Sequence, residues 1–455
     1  MMTTFLPGLL ILIFVLFFIV TFWLILRTHD DLFAIFYAFL FVYTVFTQIG
    51  YVFYPDLAAE GLVYFGVTPF YSYWLFVFLS FAAILAVFFM LNSVRKKRLL
   101  AQPSVVYFIR LPRWIFFLAT GLYVFVLAVI FTQNYQQIQY ANIENIWIGF
   151  MINWQPVVVL LLYMKMRRWS QGNAKLVATV LWLLALSLFV VISVRAGQRL
   201  GGVSLIVGTA VFELSPFMHT LRKNRMRILK IIVIAGGFLF FASRVVALRN
   251  EYAGAVPISA LSKLFMFERN DTSFDPRNLI RNDYFAPSSL IFSSMRYQWV
   301  HPLEVLRSNL YNSIVFTKYP YLSNILSEVT NPSYTFSRSE SYGYYLLTEG
   351  FNFAGWWGII YNAIMVNVGF GLWRLFASSR NKPFDLGMTS VLSVLVITIV
   401  RGQSVYFVRS IYLTIVPAVF LVSLALGYLP RMIDTRTKRR HRSRNRQISV
   451  PIAKN

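Results

Sequence analysis

The chain has no cysteine among its 455 residues, which excludes disulfide bonds, thiol catalysis and thiolate metal ligands within it. Acidic residues are also scarce, with 17 aspartates and glutamates against 42 lysines and arginines. In a soluble protein the resulting formal charge of +25 would suggest nucleic acid as a partner. No nucleic-acid-binding module is recognisable, so we expect no such partner. We expect the basic residues to lie mainly in loops that contact an anionic lipid leaflet.

What the chain has in excess is apolar surface. Hydrophobic residues make up 58% of it, aromatic residues 18% and charged residues only 13%, and the mean hydropathy is +0.62. A soluble protein of this length could not bury so much apolar surface. The composition predicts an all-α polytopic membrane protein in contact with the lipid bilayer, because only a helix or a closed barrel satisfies its own backbone in lipid.

Runs of about 20 apolar residues predict eleven transmembrane helices. The predicted spans are 5–26, 32–54, 70–92, 114–132, 146–164, 176–193, 200–219, 228–247, 355–373, 384–400 and 410–429. One large loop, which we expect to be partly helical, separates helices 8 and 9 and holds nine of the seventeen acidic residues. The predicted organisation is helices 1–8 in 1–248, the large loop in 249–354, helices 9–11 in 355–430 and a basic tail in 431–455.

Clusters of lysine and arginine set the predicted orientation. They follow odd-numbered helices, near residues 95–98, 165–168, 222–225 and 438–442. Positively charged loops stay on the cytoplasmic side. The sequence therefore predicts an outside N-terminus, a cytoplasmic C-terminus and a large loop on the outside.

Four arginines lie in short loops on the predicted outside, against the preference of basic residues for the cytoplasmic side. Arg195 and Arg199 lie in the short outside turn SVRAGQRLGG, and Arg401 and Arg409 lie in VRGQSVYFVRS. On a helix, a spacing of four or eight residues puts two guanidinium groups on about the same face, where they repel each other unless they share an anion. Guanidinium groups suit pyrophosphate and carboxylate geometry, so we predict an anion site. Arginines at helix ends that reach toward lipid headgroups are the alternative interpretation.

Of two further arginines, Arg244 lies just before the large loop and Arg249 is its first residue. They could extend the anion site or pair with Glu251, and the sequence favours neither. Glu213 falls inside predicted helix 7, where an ionisable group needs a partner. For Glu213 we favour pairing with a loop arginine over a role in substrate binding.

The clearest helix of the large loop begins at Pro302 and ends near Phe316. Its apolar residues recur every three or four positions, which predicts one face packed on the protein. These residues are Leu303, Leu306, Leu310 and Ile314.

His301 and Glu304, at the start of this helix, allow two interpretations. In the structural one, His301 lies near the N-cap and the Glu304 carboxylate favours the helix N-terminus. In the catalytic one, either residue is a general base for an incoming hydroxyl, with Arg296 and Arg307 nearby for anionic groups. The sequence weighs the two equally.

Several functions lack their motifs. There is no GxxxxGK[ST] phosphate loop, no HExxH pair and no GxSxG elbow. No stretch has the spacing of a calcium loop. We therefore expect no cofactor and no obligatory metal.

The order of these features resembles a known family. SVRKKR follows helix 3, SVRAGQRLGG opens helix 7, a large loop precedes helix 9, and IVRGQSVYFVRSIYL leads into the last helix. This arrangement is similar to the Wzy-type polymerases of O-antigen and enterobacterial common antigen, in the membrane glycosyltransferase C class. The resemblance implies a multi-pass protein of the bacterial inner membrane, with a periplasmic N-terminus and a periplasmic large loop.

The resemblance also implies a reaction. The substrate would be an oligosaccharide on undecaprenyl pyrophosphate, attacked at its anomeric carbon by an acceptor hydroxyl. Arg195, Arg199, Arg401 and Arg409 would hold the pyrophosphate, and Glu304 or His301 would be the base. A chain-length regulator would be a membrane partner in lipopolysaccharide biosynthesis. An O-antigen ligase, a flippase or other transporter, and a membrane scaffold are the alternatives.

Overall fold

The computed structural model describes the protein in segments, which contain most of the predicted membrane helices. The described residues are 2–28, 30–53, 70–98, 107–112, 114–133, 146–195, 200–214, 263, 300–313, 322, 325, 346–377, 382–400 and 404–431. The predicted span at 228–247, much of the large loop and the basic tail beyond residue 431 lie outside them.

The described residues are nearly all helical. The α-helices are α1 Met2–Arg27, α2 Asp31–Phe53, α3 Phe70–Arg98, α4 Trp114–Gln133, α5 Ile146–Met164, α6 Asn173–Arg195, α7 Leu200–Leu214, α8 Pro302–Asn312, α9 Leu346–Ala354, α10 Gly358–Ala377, α11 Lys382–Val400, α12 Val405–Ser410 and α13 Val416–Leu426. Short π-helical turns at Lys165–Trp169 and Ile411–Ile415 follow α5 and α12, and a 3-10 turn at Gly355–Trp357 joins α9 to α10. The described residues also include two short strands, β1 Tyr107–Arg110 and β2 Tyr428–Arg431.

Six helical segments in the described residues are long and apolar enough to cross a bilayer. They are Leu6–Arg27, Tyr71–Ser93, Trp114–Gln133, Asn173–Ser193, Leu346–Arg374, which includes the turn between α9 and α10, and Tyr406–Leu426. Three shorter apolar helices accompany them, at Asp31–Val45, Gly201–Leu214 and Pro383–Val396. The class of helical, multi-pass membrane protein is thereby confirmed, whereas the total of eleven spans stays a prediction.

An aromatic core fixes α10 among its neighbours. Phe370 of α10 packs edge-on against Phe36 of α2, with ring centroids 4.8 Å apart. The Trp373 indole N–H donates to the Ser410 hydroxyl over 2.6 Å, which ties α10 to α12. The Asn367 amide donates to the carbonyl of Ile84 on α3 over 3.0 Å. Because both polar groups are buried and satisfied, α10 is held in one position.

One end of the helical body gathers segments that the sequence assigns to the cytoplasm. Asp30, after α1, forms an ion pair with Arg374, near the end of α10. Strands β1 and β2 pair antiparallel, with Tyr107 opposite Arg431. At the other end, the Trp74 indole donates to the carbonyl of Leu10 over 3.0 Å. The contacts group these segments as the charge pattern predicts, and which end faces the cytoplasm stays a prediction.

Helices α9 and α10 form a tight hairpin. Gly355 turns the chain with φ of 57°, a left-handed conformation that glycine adopts readily. Gly350 and Gly358 face each other on the two sides of the turn. They lie so close that a Cβ on either would collide with the backbone of the other. The hairpin buries α9 residues Leu346–Asn352 within the helical body. It therefore fixes the polar side chains of α9 beside the first turns of α10.

Candidate functional site

The most completely buried carboxylate among the described residues belongs to Glu349, on α9, which has no solvent exposure. Its oxygens accept hydrogen bonds from the Asn309 amide and from the backbone N–H of Ser404, each over 2.6 Å. The hydroxyls of Tyr361 and Ser404 donate to it as well. We call Asn309, Glu349, Tyr361 and Ser404 the Glu349 cluster.

The cluster satisfies the buried carboxyl group of Glu349 with hydrogen-bond donors. In the described part of the chain, the Asn309 NH₂ group and the Ser404 backbone N–H can only donate, and the hydroxyls of Tyr361 and Ser404 can donate as well. The Asn309 amide also donates to the Tyr361 hydroxyl over 3.2 Å, so the donors support one another. Burying a polar group is costly unless hydrogen bonds compensate it, and these bonds supply that compensation.

The cluster joins four elements. Asn309 comes from α8, Glu349 from α9, Tyr361 from α10 and Ser404 from the residue before α12. It therefore connects the helix that carries both base candidates to the segment that carries the second arginine pair. A second link is close by, because the Tyr412 hydroxyl donates to the carbonyl of Ser313 at the end of α8.

His301 has a structural position in this arrangement. It is the N-cap of α8, and its Nδ1 accepts the backbone N–H of Leu303 over 3.3 Å. Pro302 occupies the first turn, where its missing N–H costs nothing. The His301 side chain therefore has a structural role at the start of α8.

Glu304 lies one turn further along α8 and retains an accessible carboxylate. Its Oε1 pairs with the Arg307 guanidinium over 2.9 Å, and the Glu304 side chain is 32% exposed. Both residues lie on the surface of α8, where an ion pair is weak. Glu304 is thus a reachable acid beside a cation.

The predicted packing of α8 is wrong. Leu303, Leu306 and Leu310 are 54%, 47% and 67% exposed. The buried face carries Val305 and three polar residues, which are Ser308, Asn309 and Asn312. The polar face turns inward because Asn309 contacts a buried carboxylate. The prediction assumed that an apolar face points into the protein, as it does in water, and Ile314 lies outside the described residues.

The arginine sites are described only in part. Arg409 lies on α12 with a partly buried side chain, five residues beyond Ser404 of the cluster. Arg195 ends α6, and only its backbone is described. Five predicted site residues lie outside the described residues, namely Arg199, Arg244, Arg249, Arg296 and Arg401. The two-pair anion site stays a prediction.

The predicted partner of Glu213 is confirmed. Its carboxylate lies 3.4 Å from the guanidinium nitrogens of Arg167 and Arg168, in the turn after α5. The Tyr163 hydroxyl donates to it over 3.1 Å. The two arginines and the tyrosine hold the Glu213 carboxylate at the end of the body opposite the Glu349 cluster.

Glu349 itself was missed by the sequence interpretation. It lies in LLTEGFNFA, which looks like the apolar approach to a membrane helix. A single acid in such a stretch, followed by glycine, was a usable signal, since an ionisable residue near the membrane demands a partner. The partners themselves come from residues 40 positions before and 55 positions after it, which no local pattern reveals.

The fold and the site define a polytopic helical membrane protein with a buried carboxylate near one end. In the described ranges, no group of three or more histidine, aspartate or glutamate side chains could hold a metal ion. No protein-family profile, curated protein or solved structure matches the chain.

Proposed function

We propose that the protein is a membrane glycosyltransferase that polymerises lipid-linked oligosaccharide repeat units, as Wzy-type polymerases do. The hydroxyl of an acceptor repeat unit attacks the anomeric carbon of the growing glycan. A glycosidic bond forms, the bond from that carbon to pyrophosphate breaks, and undecaprenyl pyrophosphate leaves. The arginines of the two outside turns bind the pyrophosphate and stabilise the charge that develops on it.

One observation supports this proposal above the others. The Glu349 cluster links α8, with its accessible acid, to Ser404, which follows Arg401 and precedes Arg409. Group transfer needs a base and an anion-binding group held at a fixed separation. A buried network between their two supporting elements provides such a fixed separation.

We assign the general base to Glu304. His301 already uses Nδ1 to cap α8, whereas the Glu304 side chain is 32% exposed and lies beside Arg307. Glu304 takes the proton of the acceptor hydroxyl as the new bond forms. Arg307, which pairs with Glu304, can turn toward an anionic group of the glycan.

The test uses purified protein in detergent with a single undecaprenyl-pyrophosphate-linked repeat unit, and resolves the lipid-linked products by size. We expect a ladder of multiples together with released undecaprenyl pyrophosphate. Glycan transfer that occurs only after a lipid core is added would assign the protein as a ligase. A protein that forms no bond in either assay, yet moves the lipid-linked unit across vesicles, would be a transporter, and both outcomes would overturn the proposal.

A further inference from the structure

Helix α8 exposes its apolar face and buries its polar face, which is the reverse of a helix on the surface of a water-soluble protein. With 3.6 residues per turn, Leu303, Leu306 and Leu310 share one face, and this face lies opposite Ser308 and Asn312. The leucine face is about half exposed or more, whereas Ser308 and Asn312 are buried. Three exposed leucines in an 11-residue helix leave an apolar surface that needs a partner. We call Leu303, Leu306 and Leu310 the leucine face.

The contacts of α8 set its depth relative to the membrane helices. Asn309 bonds to Tyr361, three residues after the start of α10, which is about 5 Å along a helix. Ser313 bonds to Tyr412, six residues into the apolar segment Tyr406–Leu426, or roughly 9 Å along it. Amphipathic helices at membrane surfaces bury their apolar face roughly 5–10 Å into the boundary between headgroups and acyl chains. Both contacts lie within about 10 Å of the start of an apolar helical stretch, which favours this zone for α8.

Residues close to α8 are of the types found at the boundary between membrane and water. Trp357, at the tip of the hairpin, is 75% exposed, and tryptophan favours the membrane–water interface. On α10, which follows, Ile360, Ile364 and Val368 recur every four residues and are about half exposed, as expected of a lipid-facing stripe. Arg307 is exposed beside the leucine face, and its charge suits anionic headgroups.

We propose that α8 is an interfacial helix whose leucine face inserts into the outer boundary of the lipid bilayer. The partner is the membrane lipid itself, and the insertion does not depend on the proposed glycosyltransferase activity. The polar face of α8 holds the Glu349 cluster while the leucine face contacts acyl chains. Glu304 and Arg307, between the two faces, are thereby held at the depth of the headgroups.

The lack of cysteine allows a direct test. Single variants Leu306→Cys and Leu310→Cys are spin-labelled in the full-length protein, reconstituted in vesicles of phosphatidylethanolamine and phosphatidylglycerol. Their accessibility to oxygen and to a water-soluble nickel chelate is then measured. Ile364→Cys, on the apolar stripe of α10, is the lipid reference, and Gln171→Cys, in the exposed turn before α6, is the water reference.

We expect an oxygen-to-nickel accessibility ratio at residues 306 and 310 that is several-fold higher than at Gln171 and comparable to that at Ile364. An Arg307→Cys label should give an intermediate ratio. A ratio at 306 and 310 equal to that at Gln171 would place the leucine face in water and overturn the proposal. Immobile labels reached by neither reagent would show that another part of the chain covers this face, which would overturn it as well.

Discussion

Two glutamates at opposite ends of the helical body, one partly buried and one fully buried, are held in different ways. Glu213 is 18% exposed and pairs with the guanidinium groups of Arg167 and Arg168. Glu349 has no exposure, and in the described part of the chain its donors are an amide, two hydroxyls and a backbone N–H. A partly hydrated ion pair contributes little to stability, whereas a dry carboxylate makes every donor around it depend on it. The ion pairs of Glu213 hold the turn after α5 against α7, whereas the Glu349 cluster holds four elements together at one point.

The strongest test of this difference is Glu349→Ala. The change leaves the Asn309 amide, the Tyr361 hydroxyl and the Ser404 N–H without their buried acceptor. Each unsatisfied group costs about 1–3 kcal/mol. We expect a large fall in the thermal unfolding midpoint of the solubilised protein, and a smaller one for Ser404→Ala, which keeps the backbone N–H. A midpoint unchanged in Glu349→Ala would contradict the account of the cluster.

The next effect concerns Glu304, on the exposed side of α8. Glu304→Gln removes the proposed base and should lower the elongation rate by about 10²-fold or more. His301→Asn should retain elongation, because asparagine is also a good N-cap residue. Rates are measured from the product ladder, with membrane accumulation as the folding control. Normal elongation by Glu304→Gln would remove this residue from the mechanism, and loss in His301→Asn alone would transfer the role of base to the histidine.

The hairpin that presents Glu349 gives a smaller effect. Gly358→Ala inserts a methyl group against the backbone of Gly350, and overpacking of this kind typically costs about 1–3 kcal/mol. Gly371→Ala, on the same helix, meets no atom within 4 Å and is the matched control. Thermal unfolding should separate the two variants. Equal midpoints would show that the close approach of α9 and α10 is not required.

The smallest effect is expected at the other glutamate. Glu213→Gln keeps the hydrogen bond from Tyr163 and loses two ion pairs that are partly hydrated. We expect a loss of about 1 kcal/mol or less, with normal elongation. An unfolding midpoint lowered as far as in Glu349→Ala would abolish the distinction between the two ends.

The sequence predicted those features that depend on composition and local pattern. The membrane class followed from the apolar content, the start of α8 from His301 and Pro302, and the partner of Glu213 from the cost of a lone acid in a membrane helix. Each of these depends on a local cost or gain in free energy: the burial of apolar residues, the capping of a helix or the burial of an acid without a partner.

Two features could not be predicted in this way. The Glu349 cluster needs donors from Asn309 and Ser404, which are 40 and 55 residues away in the sequence, so only the packed fold brings them together. The inverted face of α8 follows from that cluster, because Asn309 must point inward to reach the carboxylate. Apolar periodicity gives the faces of a helix but does not state which face meets protein and which meets lipid.

The measurement that tests the central claim most directly compares Arg409→Ala with Arg168→Ala in the elongation assay. Arg409 follows Ser404 of the Glu349 cluster, whereas Arg168 pairs with Glu213 at the other end. If chemistry takes place beside the Glu349 cluster, Arg409→Ala abolishes the ladder while the protein still accumulates in the membrane, and Arg168→Ala gives wild-type chain lengths. Wild-type chain lengths in Arg409→Ala, or equal losses in both variants, would contradict the account.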